Sequence, residues 1–188
     1  SEVPGAFVHL NLSSFSPQLI ESEIFGHEKG AFTGAINSKI GAIKQANHGT
    51  LFLDEVDSLP LEIQTKLLTF LDDGIVRAVG ASNTYHVKTR LLFASGVDLL
   101  DNVLKSKMRK DFYFRISSGV KIDLEPLRKK PQKIKSLIQE FEMNEEVVCT
   151  NRYRSYLMGY SWPGNMRELN GVLKRKKTLC KGKVLDLD

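Results

Sequence analysis

Two adjacent carboxylates follow a short apolar run near the end of the first third of the chain. Residues 51–53 (Leu-Phe-Leu) have the composition of a buried strand, and Asp54 and Glu55 come at its carboxyl end. In open α/β sheets the carboxyl ends of the strands form the edge where ligands bind. One carboxylate could hold the water shell of a magnesium ion while its neighbour polarises a water for phosphoryl transfer. The alternative is that the pair only ends the strand and caps the following turn.

A hexapeptide framed by two glycines is the second feature with chemical potential. Glycine permits backbone conformations that other residues avoid, so the segment could form an excursion with Phe32 at its tip. An exposed aromatic side chain is unfavourable unless it meets a partner, which would make this tip a binding element. The alternative is an ordinary loop whose Phe32 packs into the core. The hexapeptide consists of Gly30, Ala31, Phe32, Thr33, Gly34 and Ala35.

The elements that position these residues follow an α/β pattern. Short apolar runs alternate with segments of helical period, which predicts a layered α/β fold around a mostly parallel sheet. The predicted strands are residues 7–11, 50–54, 90–95 and 120–124, with a hairpin over residues 76–87. The predicted helices in this part are residues 17–25, 58–74, 99–105 and 110–114.

From residue 131 onward only helical patterns occur, over residues 133–143, 151–160 and 166–177. We therefore expect an α/β subdomain over residues 1–127 and a small α-helical subdomain over residues 128–188. Asn165 is predicted to cap the last helix, with Glu168 returning the capping-box bond. This cap would fix Arg167 in the first turn, although an ordinary surface arginine is the alternative.

Composition excludes several classes of protein. With 188 residues, 41% of them hydrophobic and 26% charged, the chain can bury one core with a smaller appendage. Its apolar runs are far shorter than the roughly 20 residues that a bilayer requires, and the first residues resemble no targeting signal. We therefore expect a cytoplasmic protein with no membrane partner. The two cysteines and four histidines have no spacing typical of disulfides or of a structural metal.

The net charge of +5 is concentrated in the C-terminal third of the chain. Residues 1–125 hold 13 Lys+Arg against 15 Asp+Glu, whereas residues 126–188 hold 14 against 7. The run Lys-Arg-Lys-Lys at residues 174–177 is typical of a solvated helix face. DNA contact is the weaker interpretation because no recognition motif accompanies the run.

Residues 21–35 (ESEIFGHEKGAFTGA) and 49–55 (GTLFLDE) closely resemble the central AAA+ domain of bacterial sigma-54-dependent transcription activators. The resemblance covers roughly residues 5–175. It implies a three-layer α/β/α fold with a mostly parallel sheet, followed by a small α-helical lid. Further matches occur in the family's order at Asn11, Leu67-Leu68, Val79-Gly80, residues 108–111, Phe114-Arg115, residues 126–128 and residues 162–169.

The resemblance also implies roles for individual residues. Asp54 would coordinate the magnesium ion of ATP, and Glu55 would activate the hydrolytic water. Asn11 matches a polar residue that restrains this glutamate until the partner is engaged. Ser95 lies where the family reads the γ-phosphate.

Three arginines match family residues that contact nucleotide. Arg109 and Arg115 match the arginines presented to the nucleotide of the neighbouring subunit, a task that suits a planar and permanently charged group. Arg167 matches the lid arginine that senses the γ-phosphate in the same chain, at a helix start where an anion is favoured.

The same resemblance implies the partners. Phe32 and Thr33 would contact sigma-54 and remodel the closed complex of its RNA polymerase, on a loop supported by the hairpin near residues 80–86. Ring assembly, usually as a hexamer, is implied because each site borrows arginines from a neighbour. DNA would be bound by a flanking domain, since no helix-turn-helix pattern is visible in these residues.

Several departures from the family bear on catalysis. The phosphate-binding pattern G-x-x-x-x-G-K-[ST] is absent from the 188 residues, and Ser95-Gly96 replaces a usual Thr-Asn or Thr-His. Gly171 lies inside the last predicted helix. These departures leave two main hypotheses: a nucleotide-driven enzyme acting on sigma-54 polymerase, or a catalytically impaired relative that serves as an interaction module. For the isolated chain we expect weak ATP binding and negligible hydrolysis.

Overall fold

The computed structural model describes residues 5–180 and 182–187. They form two compact units, with the boundary between Lys121 and Ile122. The strands are β1 (Phe7–Asn11), β2 (Gly26–His27), β3 (Lys39–Ile40), β4 (Thr50–Asp54), β5 (Ile75–Val76), β6 (Tyr85–His86), β7 (Arg90–Phe93), β8 (Val148–Cys149) and β9 (Val184–Leu185). The helices are α1 (Pro17–Phe25), α2 (Ala42–Gln45), α3 (Leu61–Asp73), α4 (Leu99–Leu104), α5 (Lys110–Ser117), α6 (Pro131–Glu145), α7 (Asn151–Gly159) and α8 (Asn165–Leu179). Short 3-10 turns cover Leu12–Ser14, Val56–Ser58 and Leu127–Lys129.

The first unit is built on a parallel sheet in the order β1-β4-β7. The register pairs Leu10 with Leu53, and Leu53 with Phe93, so these side chains share one face. That face is buried in a core with apolar side chains such as Ile24 of α1 and Leu67 of α3. The sequence-based bounds of β1, α1 and β4 are confirmed, and the chain has the α/β fold with a parallel sheet that the alternation predicted.

The opposite face of the sheet is more open. Phe7 is 64% exposed and Leu92 is 38% exposed, while the rings of His9 and Phe52 stack at 5.0 Å. Because side chains alternate along a strand, Asn11 and Asp54 belong to this same face. The candidate catalytic edge therefore adjoins the open side of the sheet.

The end of α3 shows how local chemistry sets a boundary. The helix stops at Gly74, which adopts the left-handed conformation (φ 67°) and donates its N–H to the carbonyl of Phe70 at 2.9 Å. Glycine is favoured at this position because it has no Cβ to clash. The predicted end of the helix at Gly74 is confirmed, and the antiparallel β5–β6 hairpin follows, beginning at Ile75, one residue before the predicted range.

The predicted strand at residues 120–124 is wrong. These residues have no regular secondary structure, and Val120, Ile122 and Leu124 are 95%, 78% and 89% exposed. The alternating pattern that indicates a strand is present, but a strand also needs a neighbour whose backbone groups pair with its own. Within the described residues the parallel sheet has three strands.

The second unit packs α6, α7 and α8 around a separate apolar core. Trp162 is 1% exposed at its centre and donates its indole N–H to the carbonyl of Leu157 at 2.8 Å. The parallel β8–β9 pair joins this unit and was not predicted, because two-residue strands leave no periodic signal. No helix in the described part of the chain has the length and apolar character to cross a bilayer.

Candidate functional site

Asn11 and Asp54 lie side by side at the carboxyl end of the sheet, where β1 and β4 pair in parallel. The Asp54 side chain is 34% exposed, and its Oδ2 lies 3.7 Å from Nε2 of His9. Its Oδ1 accepts the backbone N–H of Glu55 at 3.0 Å. The sheet therefore presents an accessible carboxylate next to an amide side chain, at the edge where ligands bind in open α/β sheets.

Glu55 leaves the strand through a left-handed backbone conformation, with φ 56° and ψ 47°. This conformation is uncommon for residues other than glycine and is enriched at functional sites. The next residue is fixed, because the Val56 N–H donates to the carbonyl of Ala94 at 2.9 Å. The turn takes Glu55 out of the strand alternation, so the two adjacent acids occupy different backbone geometries.

The side chain of Asn11 is engaged locally. Its Oδ1 accepts hydrogen bonds from the N–H of Ser13 at 3.0 Å and from the Ser13 hydroxyl at 2.9 Å, which caps the 3-10 turn that follows β1. Among the described hydrogen bonds, Asn11 is linked to Ser13 and not to Glu55. The restraint of Glu55 by Asn11 therefore stays a prediction.

Ser95 follows β7 at the same edge of the sheet and contacts an acid that the sequence analysis did not single out. Its hydroxyl donates to Oδ1 of Asp57 at 2.7 Å and accepts the N–H of Val97 at 3.1 Å. Asp57 comes two residues after Glu55, and this closeness in sequence is the signal that could have identified it as part of the site. The edge therefore gathers Asn11, Asp54 and Ser95 from the ends of three adjacent strands.

Arg109 is positioned by Gln64, which the sequence did not single out, and by Asp111, which lies in the matched segment 108–111 but was given no role. Its backbone N–H donates to Oε1 of the fully buried Gln64 at 2.8 Å. Its guanidinium forms an ion pair with Asp111 at 2.6 Å. The hydrogen bond from Arg109 lowers the pKa of Asp111, and the same bond raises the pKa of Arg109. An open depression of about 570 Å³ is lined by Arg109, Lys110, Asp111 and Phe114.

Arg115 lies near the end of α5 and is held by α3. Its Nε is 3.1 Å from Oδ1 of Asp72, and its terminal nitrogen donates to the carbonyl of Leu71 at 2.7 Å. The side chains of Arg109 and Arg115 are 42% and 45% exposed. Both guanidinium groups are therefore oriented by acids of the first unit while a large part of each side chain faces solvent.

Arg167 belongs to the second unit and lies exposed in the first turn of α8. The cap of this helix differs from the prediction by one residue. Gly164 is the N-cap, and Glu168 accepts its N–H at 2.8 Å, whereas Asn165 is the first residue of α8 and has a positive φ of 53°. The amide oxygen of Asn165 instead accepts the N–H of Leu127 at 2.7 Å. The predicted place of Arg167 at a helix start is confirmed.

Residues 28–38, which we call the arm, connect β2 to β3. Gly30 and Gly34 have φ values of 80° and 101°, and the N–H of Gly30 donates to the carbonyl of Ala35 at 2.8 Å. The glycines thereby close the hexapeptide into a compact tip. Phe32 is 39% exposed and Thr33 is exposed, so the aromatic side chain is outside the core.

The hairpin of β5 and β6 supports the arm. Val79 accepts the N–H of Glu28 and donates its own N–H to Gly26, both at 2.9 Å. A Cβ on Gly80 would lie 2.8 Å from the Cβ of Ala31, so the hairpin backbone approaches the arm closely. The lack of a side chain at Gly80 permits this contact.

The chain belongs to the sigma-54 interaction domain family. Residues 1–122 match that family, and residues 128–188 match the AAA+ ATPase lid domain. The chain is 39% identical over 189 residues to the sigma54-dependent transcriptional regulator SfnR of Pseudomonas fluorescens, covering 97% of the chain and 51% of the relative. It is 40% identical over 188 residues to the transcriptional activator HyfR of Escherichia coli, covering 96% and 28%. The chain thus spans about half or less of the length of these relatives.

Solved structures agree with the AAA+ fold. NtrX from Brucella abortus superposes with a TM-score of 0.85 at 30% identity, covering 95% of this chain and 41% of that one. NtrX in complex with ATP gives a TM-score of 0.84 at 29% identity, covering 95% and 40%. Hsp104, at 18% identity and a TM-score of 0.63 over 90% and 34%, supports the likeness of fold alone.

Proposed function

We propose that this chain is the sigma-54-contacting ATPase region of a bacterial transcriptional activator. In this proposal residues 1–127 form the α/β subdomain and residues 128–188 form the lid, with this boundary six residues after that between the two compact units. The arm carries the contact to sigma-54, and movement of the arm remodels the closed polymerase complex. The observation that carries the proposal is the exposed tip at Phe32 and Thr33, framed by two left-handed glycines, in a member of the sigma-54 interaction domain family.

The donor set at the sheet edge fits part of a site for ATP and Mg²⁺. Magnesium keeps several waters and takes one or two carboxylates, which suits the accessible Asp54 beside the amide of Asn11. ATP bound there with Mg²⁺ would supply the phosphoryl group whose hydrolysis drives the cycle. Asp54 would hold the ion, Glu55 would orient a water, and the hydroxyl of Ser95 would face the terminal phosphate. The phosphate-binding motif is absent from these residues, so they provide only part of the site.

Arg109 and Arg115 would act on the nucleotide of a neighbouring copy in a ring, with Arg167 sensing the nucleotide from the lid. Their permanent charge and planar geometry suit phosphate recognition. Partial exposure supports this role, because a fully buried guanidinium could not reach another subunit. In the intact polypeptide a flanking domain would bind DNA.

Photocrosslinking tests the contact between the arm and sigma-54. The photoreactive residue p-benzoylphenylalanine is introduced at position 32 of the 188-residue chain, or at exposed Glu62 on α3 as the matched control. We expect irradiation with purified sigma-54 to give an adduct from position 32 and none from position 62. Equal adducts from both positions, or none from position 32, would contradict the proposed function.

A further inference from the structure

The imidazole of His27, the residue just before the arm, contacts both α1 and the far end of the arm. Its Nδ1 lies 2.6 Å from the hydroxyl of Ser22, and its Nε2 lies 2.9 Å from the carbonyl oxygen of Asn37. A carbonyl oxygen only accepts, so Nε2 carries the proton and, in the neutral ring, Nδ1 accepts from Ser22. One ring therefore joins the helix before the arm, the start of the arm and its far end.

Because Ser22 is buried, its hydroxyl depends on the hydrogen bond to His27. Ser22 is 3% exposed, so its hydroxyl is withdrawn from water. A buried hydroxyl needs a hydrogen-bond partner, because water cannot replace the lost bond. The imidazole supplies this partner, so the bond to the buried Ser22 fixes the orientation of the His27 ring.

The same ring also contacts the tip of the arm. The rings of His27 and Phe32 meet in an edge geometry, with their centroids 5.0 Å apart and their planes at 63°. Aromatic pairs favour this arrangement because the positive edge of one ring meets the negative face of the other. A residue fixed by the core thereby holds the exposed aromatic side chain of the tip.

We propose that His27 is a positioning residue that holds Phe32 in a docked position and sets the distance between the beginning and the end of the arm. The inference rests on the proposed function, in which Phe32 contacts sigma-54. Release of Phe32 from the imidazole is then the local step that makes the whole ring available to the partner. His27 acts on the contact through Phe32 and touches no nucleotide group.

Fluorine NMR on the 188-residue chain with 4-fluorophenylalanine at position 32 tests the inference. His27→Gln removes the ring, and Ser22→Ala leaves the ring but removes one of its two hydrogen bonds. In His27→Gln we expect the fluorine shift to move toward that of free fluorophenylalanine. Relaxation by a dissolved nitroxide should rise by up to about 2.5-fold, the ratio of full exposure to the present 39%. Ser22→Ala should change both observables in the same direction by less.

Two further variants separate positioning from general loss of structure. His27→Phe keeps an aromatic neighbour for Phe32 without the two hydrogen bonds, so it should recover part of the shift but not the protection from the nitroxide. His48→Asn removes an imidazole from the turn before β4, where asparagine tolerates the positive φ of 57°, and should leave the fluorine signal unchanged. An unchanged signal in both His27→Gln and Ser22→Ala would overturn the inference, and Ser22→Ala decides alone should His27→Gln fail to fold.

The outcome is separable from that of the proposed function. A fluorine signal that responds to His27→Gln, together with no sigma-54 adduct from position 32, would keep the positioning role and reject the partner. An adduct from position 32 together with a fluorine signal insensitive to both variants would do the reverse.

Discussion

The buried amide of Gln64 on α3 accepts the backbone N–H of Arg109, which is 45 residues further along the chain. The same side chain donates to the carbonyls of Leu59 and Lys107, at 2.8 and 3.1 Å. Gln64 therefore fixes the start of α5, the helix that carries Arg115, from inside the core. A single buried residue links the segment after the carboxylates to the segment that presents the arginines.

Replacing Gln64 with leucine should destabilise the first unit by about 1–3 kcal/mol, because the N–H of Arg109 and two carbonyls lose their buried partner. Urea unfolding followed by circular dichroism measures the change. The control is Thr69→Ala on the exposed surface of α3, which should stay within about 0.5 kcal/mol of the wild type. Equal midpoints for both variants would show that water replaces the amide.

Gly80→Ala should disturb the support of the arm. The new methyl group would lie 2.8 Å from the Cβ of Ala31, and the φ of 76° costs about 1–2 kcal/mol for a residue with a Cβ. We expect lower thermal stability and faster amide exchange at Glu28 and Val79. Gly119→Ala is the matched control, since its added Cβ meets nothing within 4 Å. Unchanged exchange at both amides in Gly80→Ala would refute this expectation.

Gly171→Ala should stabilise the second unit. Gly171 lies inside α8, has open space where a Cβ would be placed, and has no positive φ. Alanine is favoured over glycine in a helix interior by about 1 kcal/mol. The chain has one tryptophan, the buried Trp162, so tryptophan fluorescence during urea unfolding reports this unit. A lower midpoint than that of the wild type would be evidence against the helical geometry at this position.

Alkaline pH should lower the free energy of unfolding of the second unit through Cys149. Burial, followed by the nearby charge of Glu142, raises the pKa of the Cys149 thiol from 9.0 to about 11. Between these values the unfolded chain loses the thiol proton and the folded chain keeps it, so stability falls as pH rises from about 9 to 11. Trp162 fluorescence in urea at pH 8 and at pH 10 measures the fall. Cys149→Ala should flatten this dependence, and an equal slope in the variant would exclude the thiol as its source.

The isolated 188 residues should bind ATP weakly and release phosphate negligibly. They contain the acids of the sheet edge but no loop whose backbone amides and lysine could cradle the phosphates. Isothermal titration calorimetry with ATP and Mg²⁺, combined with a phosphate-release assay, checks both statements. Low-micromolar affinity together with steady turnover would contradict them.

Local signals predicted much of the fold. The bounds of β1 and β4 followed from short apolar runs, and the end of α3 followed from Gly74, because each signal lies within a few neighbouring residues. The same is true of the left-handed glycines at the tip of the arm. Contacts between distant segments left no such signal. The hydrogen bond between Gln64 and Arg109 forms because two distant segments meet in the folded chain. Residues 120–124 form no strand because no neighbouring strand among the described residues meets them. Periodicity encodes neither outcome.

The open face of the sheet has a practical consequence for handling the purified chain. Phe7 and Leu92 present apolar surface to water, and within the described residues the outer edge of β7 has no neighbouring strand. Unpaired strand edges beside apolar surface promote self-association of the molecules. Concentrated samples should therefore elute from a sizing column earlier and more broadly than dilute ones, and low protein concentration is the sensible starting condition for spectroscopy.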